Sequence, residues 1–132
     1  MNMPVWPAVY RLENGKYIEA SRDFPNYYDT EVLPQASQGI REAKARMPRE
    51  PFQQRTVAVT EMMTAKVLRV LGRDPVAGLN QAYQWMNSDD PQLMQCAIAT
   101  FSDIGGHDKE VRELRHALPA AEMRQLQSHQ GG

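Results

Sequence analysis

The side chains able to do chemistry are few and scattered. Cys96, His107 and His116, with Asp103 and Asp108 nearby, are the residue types of a nucleophile, a base and an orienting carboxylate, or of a metal site. Their spacing fits neither. Structural zinc sites use closely paired ligands, whereas Cys96 falls inside an amphipathic run where a small core residue is expected. His107 follows Gly105-Gly106, and His116 lies near the end of a helical segment, where an imidazole is favourable beside the carbonyl end of the helix dipole. Glu19 and Asp23 are neighbours in sequence, but metal-assisted nuclease chemistry takes several converging carboxylates. Neither a Gly-rich phosphate loop with lysine, nor a Gly-x-Ser-x-Gly elbow, nor a paired-histidine helix motif occurs. The expectation is a chain without catalytic residues, metal site or cofactor, with a small enzyme using His107 or His116 as an alternative.

Binding chemistry is better represented. Phe24, Tyr27 and Tyr28 form an aromatic group of the kind that carries affinity at protein interfaces, and they are the expected partner-binding residues; burial under a helix is the competing reading. Arg41, Lys44, Arg46 and Arg49 form the densest basic cluster, which suits a solvated helix face as well as an acidic partner. Met62, Met63, Met86, Met94 and Met123 read as gap-fillers of a helical core.

The elements that must position these groups follow from periodicity. Ala8-Val9-Tyr10-Arg11-Leu12 and Lys16-Tyr17-Ile18-Glu19-Ala20 are β-type runs joined through Asn14-Gly15, the strongest local signal for a type I′ hairpin, with Glu13 facing Lys16. Tyr27-Tyr28-Asp29-Thr30 would add a third short strand. From Leu33 the spacing turns helical, through Ala36, Ile40, Ala43 and Met47, with Pro34 in the first turn and Pro48 and Pro51 beyond the end. Arg55-Thr56-Val57-Ala58-Val59 reads as a strand, after which Thr60 caps a helix from about Glu61 to Leu71. Asp74-Pro75 and Asp90-Pro91 each start a helix; the second places Leu93, Met94, Ala97, Ile98, Phe101 and Ile104 on one face before Gly105-Gly106. Asp108 caps a segment with Val111, Leu114 and Leu118 inward, and Pro119 opens a last one.

Composition bounds the class. The 132 residues carry 15 Lys plus Arg against 16 Asp plus Glu, a net charge of -1, which argues against bulk electrostatic capture of nucleic acid or anionic membrane. Residues 51–87 hold four basic and two acidic groups, and residues 88–132 four basic and seven acidic. No apolar run approaches membrane-spanning length, Met1 to Pro7 lacks the basic start and apolar stretch of a secretory leader, and a lone cysteine suits a reducing compartment. A cytoplasmic protein with no membrane contact is expected.

Taken in order, Trp6-Pro7-Ala8-Val9, Asn14-Gly15-Lys16-Tyr17, Asp23-Phe24-Pro25, Glu31-Val32-Leu33, Gln35-Ala36 and Arg41-Glu42-Ala43 resemble the HicB antitoxin family. The resemblance covers about residues 4 to 47. It implies a partial RNase H-like, α+β fold: a small antiparallel sheet with a covering helix, followed by a mainly helical C-terminal region. Tyr27-Tyr28-Asp29-Thr30 departs from the family's Gly-rich third strand, and Pro34 and Gly39 stand where helix formers are usual. The implied function is neutralisation, by occlusion, of a small HicA-type ribonuclease toxin, with possible autoregulation of the operon. An orphan HicB-like adaptor with another protein partner is the alternative.

On this reading residues 1–50 form the sheet-plus-helix domain and residues 51–132 an oligomerisation region. Pairing of residues 54–59 with a two-fold mate would give a dimer and an antiparallel ribbon, whose outward Gln54 and Thr56, with Arg55 at the phosphates, would meet operator DNA.

Overall fold

The computed structural model describes residues 6–131. The elements run β1 (Tyr10–Glu13), β2 (Lys16–Glu19), a 3-10 turn (Ser21–Asp23), α1 (Pro25–Tyr27), a π-helical turn (Tyr28–Val32), α2 (Leu33–Arg46), α3 (Gln53–Val70), α4 (Leu79–Met86), α5 (Pro91–Ile104) and α6 (Asp108–Gly131). The chain is α+β: among the described residues it has one two-stranded antiparallel sheet, and the rest is mainly helical. No helix among them is long and apolar enough to cross a membrane. Two compact units meet in sequence at Ala77 and Gly78 rather than after residue 50, because α3 packs on α2 and so belongs with the hairpin.

The hairpin forms as its sequence dictates. Asn14 and Gly15 take φ of +50° and +76°, the left-handed values a type I′ turn needs at both positions. Glu13 then faces Lys16, and the register continues through Leu12 with Tyr17, Arg11 with Ile18 and Tyr10 with Glu19.

Beyond it, two expected strands are helical. Residues 27–30 lie in the helical run that leads into α2. Pro34 accounts for the π turn. It has no N–H for the Thr30 carbonyl and its ring would strike that carbonyl, so the turn widens and Leu33 N–H bonds to Tyr28 O instead. Pro34 stands in the first turn of α2, as the spacing predicts, and the helical run from Pro25 leads into it. The stripe read from sequence is the inward face: Ala36 and Ala43 are buried, and Leu33, Ile40 and Met47 are half-buried.

Residues 55–59 belong to α3, and Thr60 is interior to that helix rather than its cap. Their β-branched side chains favour a strand locally, but Val57 and Ala58 continue a helical apolar spacing to Ala65 and are buried with it. The threonines are accommodated by back-bonding: Thr60 Oγ1 donates to Thr56 O and Thr64 Oγ1 to Thr60 O, each at 2.9 Å. The strand-paired dimer and the DNA-reading ribbon built on residues 54–59 lose their structural premise. Tyr28 and Val32 cluster with Val67, while Lys44 lies 3.9 Å from Glu61, so α2 and α3 run antiparallel.

In the second unit α5 packs against both α4 and α6. This explains why Leu93, Met94, Cys96, Ala97, Thr100 and Phe101 are all buried, a wider face than one apolar stripe. Asp90 caps α5 by accepting Gln92 N–H at 2.9 Å, with Pro91 at the first helical position. Asp74-Pro75 makes a turn instead of a helix start: Asp74 Oδ1 accepts Val76 N–H, and Val76 is exposed. Pro119 lies inside α6 rather than opening a new helix; Val111 and Leu114 before it and Ala121 after it are buried. At Gly105 the backbone takes φ +83° and ψ 160°, a glycine region that ends α5.

Thr100 Oγ1 is fully buried without a hydrogen-bond partner among the described residues. Thr100→Val, which keeps the shape and removes the unpaired hydroxyl, is expected to stabilise the protein by about 1 kcal/mol; a thermal melt shows this as a raised Tm.

Candidate protein-binding surface

The segment before β1 is anchored at three points. Tyr28 Oη donates to Pro7 O at 2.6 Å, Val9 N–H donates to Ser21 Oγ at 2.8 Å, and Ala20 N–H donates to Val9 O at 2.7 Å. Ser21 and Tyr28 are completely buried, and Trp6 and Val9 pack against the cluster of Tyr28, Val32 and Val67. Arg22 Nε donates to Val70 O at 3.2 Å, tying the turn after β2 to the end of α3. Nearby, Asp29 accepts both Nη groups of Arg73, with Nη2 at 2.7 Å. That guanidinium holds the Asp29 carboxyl below the usual carboxylate range.

Past these anchors the ribbon is uncovered. Residues 10–19 are all exposed, so α2 does not cover the sheet as expected. Cross-strand neighbours share a face. Tyr10, Leu12, Tyr17 and Glu19 therefore form one side, and Arg11, Glu13, Lys16 and Ile18 the other. The second side is held by charge. Arg11 lies 3.4 Å from Asp23 and 3.5 Å from Glu13, and its guanidinium stands 5.9 Å from the Phe24 ring centre. The first is apolar, with Tyr10 59 %, Leu12 60 % and Tyr17 75 % exposed. Three large apolar side chains side by side in water are what a contact surface for another macromolecule supplies.

The expected binding residues separate here. Phe24 and Tyr27 are partly exposed, but Tyr28 is the centre of the core and its hydroxyl is already bonded, so it is corrected from a contact residue to a structural one. Burial raises the Tyr28 phenol above its ordinary pKa, while the Ser21 hydrogen bond opposes that shift. Gln54, Arg55 and Thr56 lie near the start of α3, with Gln54 and Thr56 exposed and Arg55 half-buried. Tyr10, Leu12 and Tyr17 were not singled out. Their alternation about the Asn-Gly turn would have placed them on one face, although nothing local says whether that face is covered.

Glu19 and Asp23 do come to one place, a cleft of about 670 Å³ at the base of the ribbon. Arg22 and Lys66 line it too, and Lys66 Nζ stands 5.4 Å from the Trp6 ring centre, so the lining charges are balanced. Among the described residues no three His, Cys, Asp or Glu side chains form a group able to hold a metal ion.

In the second unit the candidates for chemistry are dispersed. Cys96 is buried, and desolvation pushes its thiol up to about 11, which keeps it protonated at neutral pH. His116 is exposed on α6. His107 Nδ1 lies 3.7 Å from Glu110 Oε2, Tyr83 Oη donates to Glu110 Oε1 at 3.1 Å, and the Phe101 ring packs against both His107 and Tyr83. This cluster joins the middle of α4, the end of α5 and the start of α6. A backbone hydrogen bond foremost, then Tyr83 and His107, lower the Glu110 pKa.

Comparison with protein-family models, with curated proteins and with solved structures gives no match. The functional reading therefore stands on the geometry of this chain.

Two outcomes follow. Tyr28→Phe leaves the Pro7 carbonyl without its donor and should lower stability by about 1–3 kcal/mol, measured by denaturant unfolding. Asp29, and Asp89 which Arg124 binds in the same manner, titrate below their unfolded values, so their contribution is present above the usual carboxylate pKa and is lost as pH falls through the folded value. Asp29→Asn and Asp89→Asn should each flatten the fall in Tm on acidification below about pH 4, an effect that added salt reduces because both pairs are exposed.

Proposed function

We propose that this chain is a binding protein that acts by occlusion, and that the Tyr10, Leu12 and Tyr17 face of the hairpin is where another protein docks; Phe24 stands on the Arg11 side of the ribbon and is not part of that face. The observation that carries this reading is the exposure of three large apolar side chains on one face of a rigidly anchored ribbon. The particular form proposed is an antitoxin that covers a small ribonuclease. It is supported by the order of elements, in which a strand, an Asn-Gly turn, a second strand, the Asp23-Phe24-Pro25 loop and a long helix follow one another as the HicB resemblance implies. Operator binding is not part of the proposal, since the ribbon expected to read DNA is helix.

Co-expression with a HicA-type ribonuclease toxin provides the test. Wild type should restore growth against that protein's toxicity and co-purify with it. Leu12→Asp combined with Tyr17→Asp should weaken binding at least about 100-fold, with unchanged far-ultraviolet circular dichroism. Undiminished neutralisation by the double variant would overturn the assignment of the surface.

A further inference from the structure

The face of the ribbon is one unfilled surface and its edge is another. Hydrogen bonds in an antiparallel pair alternate, and the Ala20 N–H to Val9 O bond marks Val9 with Ala20 as a bonded pair. By alternation Arg11 with Ile18 and Glu13 with Lys16 are also bonded pairs. Tyr10 and Leu12 therefore direct their backbone N–H and C=O groups away from β2, to the outer edge of β1. Among the described residues no backbone group outside the hairpin meets them. A two-stranded sheet with open edges is marginally stable, and pairing with another strand is the usual remedy.

We infer that the outer edge of β1 pairs with β1 of a second copy, giving a four-stranded sheet in the order β2, β1, β1 of the second copy, β2 of the second copy. The inference goes beyond the partner reading, because it concerns the edge of the ribbon and not its face.

Charge chooses the register. A two-fold axis perpendicular to the sheet keeps each face on its own side, so the pairing must centre on a residue. Centred on Leu12, the strand sequence Tyr10-Arg11-Leu12-Glu13 is self-complementary. Leu12 meets its own copy and exchanges two backbone hydrogen bonds with it. Arg11 faces Glu13 of the second copy, and this pair occurs twice. Centring on Arg11 would oppose two arginines, and centring on Tyr10 would set Arg11 against Val9 with no charge partner. The β2 edge has no such solution. Centring on Glu19 opposes like charges, while centring on Tyr17 or Ile18 sets Lys16 against Ile18 or Ala20. The β1 pairing also makes the apolar face continuous, since Tyr10, Leu12 and Tyr17 of both copies then lie on one side of a single sheet.

The test uses the full chain without any partner. Sedimentation of wild type between about 5 and 200 µM, a span chosen around micromolar affinity, should show the mass rising from 15.0 kDa to twice that value. Leu12→Pro removes an outward N–H while sparing the bonds inside the hairpin, and it should remain monomeric throughout. Tyr17→Pro, the equivalent change on the β2 edge, should still dimerise. Leu12→Cys should form a disulfide-linked dimer under mild oxidation and Tyr17→Cys should not; the buried native thiol of Cys96 stays out of this reaction. Monomeric wild type across the range overturns the inference, as does cross-linking of Tyr17→Cys as readily as Leu12→Cys. Either result leaves the docking face untouched, which only the Leu12→Asp and Tyr17→Asp combination addresses.

Discussion

The hydrogen bond from Tyr28 to the Pro7 carbonyl is the contact on which the first unit depends. A fully buried tyrosine hydroxyl must find an acceptor, and the backbone just ahead of β1 supplies it. Tyr28 also clusters with Val32 and Val67, against which Trp6 and Val9 pack, so one side chain ties the N-terminal segment to the helical pair. Ser21 completes the arrangement by accepting Val9 N–H, which fixes both ends of the hairpin at its base. With the base held, the ribbon needs no helix beneath it to keep its direction. That is why Tyr10, Leu12 and Tyr17 can stay in water.

The helical run through the π turn serves the same end: Tyr28, Val32, Ala36 and Ala43 follow at steps of four, four and seven and are all buried, so one inward face continues from the anchoring tyrosine into α2. Small alanines on α2 and α3 allow the two helices to approach closely, and the larger side chains gather at the end nearest the ribbon. Stability is thus concentrated where the binding surface is anchored.

How much of this was legible depends on the range of the forces involved. Asn14-Gly15 and Asp90-Pro91 act within a few residues, so the hairpin, its register and the start of α5 could be read directly. The Leu33 to Met47 stripe is a pattern over several turns and was equally plain. Residues 27–30 and 55–59 look extended because β-branched and aromatic side chains prefer strands, yet burial of Tyr28 and of Val57 with Ala58 against a neighbouring helix outweighs that preference. The same non-local burial decided the candidate site. Tyr28 and its neighbours Phe24 and Tyr27 are chemically alike in sequence, and only packing tells a core ring from an exposed one. Whether the hairpin face is covered depends on where α2 ends up, which no residue in the hairpin encodes.

The central claim, that the ribbon stands free with an apolar face open to a partner, is tested most directly by nuclear Overhauser contacts from the Leu12 methyl groups in the protein without a partner. Contacts to the Tyr10 and Tyr17 rings, with none to side chains of α2 or α3, are the predicted result. Contacts from Leu12 to Ile40, Ala43 or Met63 would mean that the helices cover the sheet, and would contradict the exposed surface on which the functional reading rests.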